Sequence, residues 1–398
     1  MDITIYPRIL SGEITAIPSK SQAHRLLICS AFADKTTDLV CPETNQDIEA
    51  TVECLNALGA QIYRVEWGYH VIPVKTIPSK ATLNCRESGS TLRFMLPVVG
   101  ALGVEGNFLL SGRLPQRPLS PLWEEMERMG CTLTRPTTDT ITCKGQLSPG
   151  NYTIDGGVSS QYITGLLFAM ALMNGESDLT VTRKMESAPY VEMTRKALSV
   201  FGVSTDHLCV TGSRPFSSPG KLTVEGDWSN GAFFIAAKAM GNPITVNNLD
   251  PASPQGDRAI AELFVTLQNH CTINAADIPD LVPILSVLAA VNHGAVFTNI
   301  QRLRLKESDR VASVISMLSS LGIHAEATED TLSVFPGQFM GGIVDSVNDH
   351  RIAMAAAIAA TTASGPVTIK EAHCVSKSYP AFWDEYRRLG GHYEQYIR

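Results

Sequence analysis

The sequence predicts an α/β protein of two domains, each made of three copies of one supersecondary unit. Two signals each recur six times, they interleave, and their common spacing is mostly near 70 residues across a 398-residue chain. Six copies divide naturally into two sets of three.

The first signal is a helical pattern that stops at glycine and runs into alternating residues. It reads LNALGAQIYRV at Gly59, MERMGCTLTR at Gly130, ALSVFGVSTDHLCV at Gly202, SMLSSLGIHAEA at Gly322 and YRRLGGHYEQY at Gly390. A weaker copy, LFVTLQNHCTIN, has Asn269 at that place. Glycine, or failing that asparagine, suits the left-handed residue that closes a helix. The intervals are 71, 72, 67, 53 and 68 residues.

The second signal is a polar cap followed by an apolar helix. It starts at Ser19, Ser88, Ser159, Asp227, Asp280 and Asn348, at intervals of 69, 71, 68, 53 and 68 residues. Ser, Asp and Asn accept bonds from the first free N–H groups of a helix. The helices are apolar over most of their circumference, which predicts burial. Pro97 and Pro283 fall inside two of them and are expected to kink or shorten them. Alternating segments such as YHVIPV, DTITC, KLTVEG and DTLSVF supply strands. A unit this long favours closed α/β domains over an open array. The Ser-, Pro- and Gly-rich stretch TGSRPFSSPGK, residues 211–221, suggests a boundary.

Composition narrows the function. Hydrophobic residues make up 44% and charged residues only 18%, so the chain is globular and much of it is buried. The net charge of −7 argues against a nucleic-acid partner. The longest apolar runs, such as Leu281 to Val291, reach about half the roughly 20 residues needed to span a bilayer. Residues 1–10 lack the basic flank and apolar core of a secretory signal. Nine cysteines, with no CxxC spacing, argue against a zinc site or a disulfide framework. They read as free thiols of a cytoplasmic protein.

Charge concentrates at the helix starts. Lys20 and Arg25 lie on the first apolar helix and Arg351 on the sixth. Helix N-termini carry partial positive charge and unpaired N–H groups, so added Lys and Arg build anion sites. In RLRLKESDR, residues 302–310, four cations bracket Glu307 and Asp309, and Ser308 is placed to cap the following helix. Taken alone, this segment also suits a surface strand edge with Glu307 and Arg310 paired. Asp280 suits a helix cap or, with Glu307, an acid/base pair among cations. Arg117 in QRP, Ser159, Ser160 and Gln161 in SSQ, Ser187 and Tyr190 in SAPY, and Lys377 in SKSYP suit the same site. His350 has no second ligand beside it, so no metal is expected.

These motifs resemble those of the 5-enolpyruvylshikimate-3-phosphate synthase family. In order they are SKSQAHR, GSTLR, QRPL, SSQY, SAPY, EGDWSNGAFF, IPD, LKESDR, NDHRIAM and SKSYP, covering nearly the whole chain. The resemblance implies an α/β, inside-out barrel fold, with two similar domains of three βαβαββ units around buried parallel helices. It places the domains at 1–18 with 226–398 and at 19–225, with crossovers near Pro18 and Glu225. The 211–221 stretch is then close to the boundary but not the hinge.

The implied reaction adds the 5-hydroxyl of shikimate 3-phosphate to C2 of phosphoenolpyruvate, protonates C3, and then expels phosphate. Each substrate carries about three negative charges. Seven cations, Lys20, Arg25, Arg117, Lys306, Arg310, Arg351 and Lys377, answer them. By resemblance, Lys20, Ser21, Arg25, Ser159, Ser160, Gln161, Ser187, Asp280 and Lys306 contact shikimate 3-phosphate. Lys20, Gly89, Arg117, Gln161, Arg310, Arg351 and Lys377 hold phosphoenolpyruvate. Asp280 is the implied base for the 5-hydroxyl, Glu307 the donor to C3, and Lys20 shares the proton transfers. The resemblance implies no cofactor, no metal, a cytoplasmic monomer, and inhibition by glyphosate beside Gly89. Glu87, Phe94 and Arg302 depart from the residues most members carry. The related transferase that acts on a UDP-amino sugar relies on a loop cysteine, and the corresponding SGRLPQRPLS has none.

Overall fold

The computed structural model describes residues 1–212 and 214–396. Ser213, within the 211–221 stretch, and Ile397 and Arg398 lie outside the described residues. The chain forms two compact units, one of Pro18–Val224 and one of Met1–Ile17 with Glu225–Arg398. Each has its own hydrophobic core.

One strand pattern recurs. In the Pro18–Val224 unit, Lys80–Arg86 pairs parallel with Glu105–Leu110, which pairs antiparallel with Thr140–Gly145, which pairs antiparallel with Cys131–Thr137. The same parallel–antiparallel–antiparallel order joins Lys221–Thr223, Thr37–Val40, Gly68–Ile72 and Gln61–Val65. A three-stranded version uses Asn151–Ile154, Gly175–Val181 and Cys209–Gly212. In the other unit the four-stranded pattern appears at Cys271–Asn274, Ala295–Thr298, Thr331–Val334 and Ala325–Ala327. It appears again at Gly342–Asp345, Val367–Lys370, Asp2–Tyr6 and His392–Tyr396. The sixth sheet keeps only the parallel pair Ile244–Asn247 and Gly12–Thr15. Both units therefore borrow a strand from a distant part of the chain to complete a sheet.

The apolar helices are Lys20–Ala31, Gly89–Leu102, Ser160–Leu172, Trp228–Ala239, Val282–Val291 and His350–Ala359. Ser19, Ser88, Ser159 and Asp227 cap the first four through side-chain bonds to Gln22, Thr91, Gln161 and Asn230 N–H. The last two starts differ from expectation. Leu281, not Asp280, precedes the fifth helix, and Pro283 lies in its first turn, where its missing N–H costs nothing. Asp349, not Asn348, caps the sixth through the Arg351 N–H at 3.0 Å. Pro97 sits inside the continuous helix Gly89–Leu102. Ser308 does not cap the helix Arg310–Ser320 either; Asp309 does.

At Gly59, Gly130, Gly202, Gly322 and Gly390, φ is 102°, 116°, 80°, 82° and 97°. Asn269 does not take that conformation; its N–H bonds Thr266 at 3.2 Å in an ordinary turn. Gly165 permits close approach of two buried helices. A Cβ there would strike the carbonyl oxygen of Arg93 and come within 3.0 Å of Pro97. That contact sets the starts of the Gly89 and Ser160 helices side by side.

Candidate active site

In the Pro18–Val224 unit the candidate residues gather at three helix starts. Lys20 opens its helix and donates to Asp47 Oδ2 at 2.8 Å. Ser21 offers its carbonyl to Arg25 Nη1 at 2.5 Å, one turn on. Arg25 is buried; its Nε donates to Thr194 Oγ1 at 2.9 Å and its Nη2 to the Tyr190 carbonyl at 2.8 Å. Its guanidinium lies 5.2 Å from the centre of the Phe94 ring. Burial lowers Arg25 to about 10, so it remains cationic at neutral pH. Phe94, one of the departures noted in the sequence, thus backs this cation.

Gly89 begins the next helix beneath two guanidiniums. A Cβ there would lie 2.6 Å from Nη1 of Arg117 and 2.6 Å from Nη1 of Arg93. Arg93 Nη1 donates to Gln161 Oε1 at 2.9 Å, and Gln161 Nε2 donates to Ser90 Oγ at 2.9 Å. Gly89, Arg117, Arg93 and Gln161 therefore form one group. Ser159 caps the Gln161 helix, and Ser160 is buried beside it. Ser187 is buried in a left-handed conformation, φ 55° and ψ 38°, immediately before the helix Ala188–Val200. A serine held there stores strain, a feature that concentrates at functional sites.

In the other unit Asp280, Lys306, Glu307, Arg310 and Arg351 meet. Asp280 Oδ1 accepts from Arg310 Nη1 at 2.6 Å and lies 3.5 Å from Lys306 Nζ. Its Oδ2 accepts from Arg351 Nη2 at 3.2 Å. Burial pushes this carboxyl up, but Arg351, Lys306 and Arg310 outweigh it and hold Asp280 well below the usual carboxylate range. Glu307 Oε2 accepts from Arg310 Nη2 at 2.6 Å. Burial pulls Lys306 down to about 8; Asp280 opposes the shift while Arg310 and Arg302 add to it. Lys377, in the turn Ala372–Lys377, donates to the Asn348 carbonyl at 2.9 Å.

Four residues without a sequence assignment belong to these clusters. Asp349 is fully buried and accepts from Arg310 Nε at 2.9 Å and Ser308 Oγ at 3.0 Å. Asp257 is also buried and accepts from the Ser229 hydroxyl; burial and the charge of Asp280 raise it to about 6. Asp47 and Arg93 complete the Lys20 and Gln161 groups. Arg93 had a legible signal, as the one charge in an otherwise uncharged helix. Among the described residues, no group of three or more His, Cys, Asp or Glu could hold a metal ion.

Helix-start cations, and two carboxylates set among them, define an enzyme that handles polyanions through proton transfer. The profile of the family EPSP synthase (3-phosphoshikimate 1-carboxyvinyltransferase) matches residues 6–386. A 3-phosphoshikimate 1-carboxyvinyltransferase of Clostridium kluyveri is 36% identical, aligned over 99% of this chain and 98% of its own length. One from Clostridium beijerinckii is 34% identical over 99% of each chain. An EPSP synthase structure from Acinetobacter baumannii shares the fold, with a TM-score of 0.80 at 23% identity over 99% of this chain and all of its own. The chain belongs to the EPSP synthase family.

Proposed function

We propose that this chain transfers the enolpyruvyl group of phosphoenolpyruvate to the 5-hydroxyl of shikimate 3-phosphate and releases phosphate. The observation that carries the reading is the joining of Asp280, Glu307, Lys306, Arg310 and Arg351 through one guanidinium. Lys20, Ser21, Arg25, Ser159, Ser160, Gln161, Ser187, Asp280 and Lys306 bind shikimate 3-phosphate. Gly89, Arg117, Arg310, Arg351 and Lys377, with Lys20 and Gln161, bind phosphoenolpyruvate.

Asp280 takes the proton of the 5-hydroxyl as it attacks C2. Glu307 delivers a proton to C3, which becomes a methyl group in the tetrahedral intermediate. Return of a methyl proton to the enzyme, with loss of phosphate, regenerates the enol ether. Lys20 shares these transfers. The cations offset charge that would otherwise keep two trianions apart.

The two units correspond on this reading to the family's three-repeat domains, with crossovers near residues 18 and 225. One chain supplies every assigned residue, which supports a monomer. Substrates too charged to cross membranes favour the cytoplasm.

A phosphate-release assay with both substrates, each omitted in turn, tests the activity. Release only when both are present is expected. Equal release with phosphoenolpyruvate alone would overturn it.

A further inference from the structure

Arg310 is 1% exposed and faces three carboxylates of two kinds. Its terminal nitrogens meet Asp280 and Glu307, each at 2.6 Å. Those two side chains are 19% and 28% exposed. Its inner nitrogen, Nε, meets Asp349, which is fully buried. Asp349 has no comparable freedom to leave. Its Oδ2 also accepts from Ser308, and its Oδ1 caps the His350 helix through the Arg351 N–H. One carboxylate therefore fixes the side chain of Arg310 and the backbone from which Arg351 projects.

A planar guanidinium presents paired donors that match a carboxylate. Here the outer pair is already taken by the two groups assigned to proton transfer. An incoming carboxylate must displace at least one of them.

We propose that Asp349 is a positioning residue that keeps Arg310 in place while the substrate carboxylate replaces Asp280 and Glu307 on its terminal nitrogens. The inference rests on the assignment of Arg310 and Arg351 to phosphoenolpyruvate. The exchange also has a chemical effect. Asp280 is a weak base while three cations surround it, and removal of Arg310 from it increases its proton affinity. Phosphoenolpyruvate would thus release the base as it binds, and Asp349 would keep the arginine from following Asp280.

The test compares Asp349→Asn, Ser308→Ala and Arg310→Lys with the unaltered chain, measuring KM for each substrate, kcat and thermal unfolding. Asp349→Asn keeps the shape and loses the charge. Its KM for phosphoenolpyruvate should rise about 10–100-fold, with that for shikimate 3-phosphate within about threefold. Ser308→Ala removes one support without stranding a charge and should give the same split at roughly threefold. If Asp349→Asn fails to fold, Ser308→Ala decides. Equal rises for both substrates, or lowered unfolding temperature with unchanged KM, would overturn the proposal. If Arg310→Lys raises the phosphoenolpyruvate KM while the other two variants do not, this inference falls alone. If Arg310→Lys also leaves it unchanged, the substrate assignment falls and takes the inference with it.

Discussion

Adding a single methyl group at Gly89 tests the geometry of the phosphoenolpyruvate assignment. In Gly89→Ala the new Cβ would stand 2.6 Å from Nη1 of both Arg93 and Arg117, whereas ordinary contact begins near 3.4 Å. Each guanidinium must retreat by about 0.8 Å, or the helix start must shift by a similar amount. Arg93 donates to Gln161 at 2.9 Å. A retreat along that bond would stretch it to about 3.7 Å, beyond hydrogen-bonding range. Two assigned contacts, Arg117 and Gln161, are therefore disturbed together. Overpacking of this kind costs roughly 1–3 kcal/mol, or about 5–150-fold in affinity. Long side-chain ends can yield, so the KM for phosphoenolpyruvate should rise near the lower end, about fivefold. Glyphosate, the longer occupant of the same pocket, should lose far more, about 50-fold or greater. Steady-state kinetics with glyphosate as competitor gives both constants from one enzyme preparation. Equal changes in the two would mean that Gly89 does not border the inhibitor's far end. An unchanged KM for phosphoenolpyruvate would separate Arg117 and Gln161 from that substrate.

Glu307→Gln keeps the side-chain shape without the proton, so kcat should fall by roughly 10²–10⁴ with substrate binding within about tenfold. Near-normal turnover would remove Glu307 from proton transfer. Asp257 has its folded-state pKa raised from 3.8 to about 6 by burial and Asp280, so the fold prefers its neutral form. That stability is complete below about pH 4 and is lost as pH rises through 6, by on the order of 2–3 kcal/mol. Urea unfolding at pH 4.5 and 7.5 should show that Asp257→Asn lacks this loss, and parallel pH slopes in the two proteins would refute it. Gly165→Ala should lower stability by roughly 1–3 kcal/mol, because its Cβ meets backbone that cannot swing aside. An unaltered melting temperature would mean that the two helices slide apart freely.

The repeat was legible because its signals are local. A glycine at a helix stop and a serine before an apolar run express preferences of the residues themselves. Asn269 shows the limit, since a permissive residue need not use its permission. Asp280 and Ser308 were misplaced as possible caps because their partners, Arg351 and Asp349, lie 71 and 41 residues away. No local pattern records such a pairing. Asp349 was hidden for a related reason, since a buried carboxylate beside a helix start looks like an ordinary cap. It is a cap, and it also holds an arginine from another repeat. Arg93 was overlooked although a single cation in a buried helix requires an explanation.

The shared sheet of the two chain ends bears on how the protein is made. Asp2–Tyr6 lies between Val367–Lys370 and His392–Tyr396, with Ile3 opposite both Ile369 and Gln395. At synthesis rates of about 5–20 residues per second, that first strand waits roughly 20–70 seconds for its partners to be translated. The Pro18–Val224 unit closes its first sheet with Lys221–Thr223, so every strand it needs exists long before the last codon is read. Folding during translation would then begin in the middle of the gene product and finish at its two ends. A ribosome stalled near residue 300 would hold one completed unit tethered to an opening strand still without a partner.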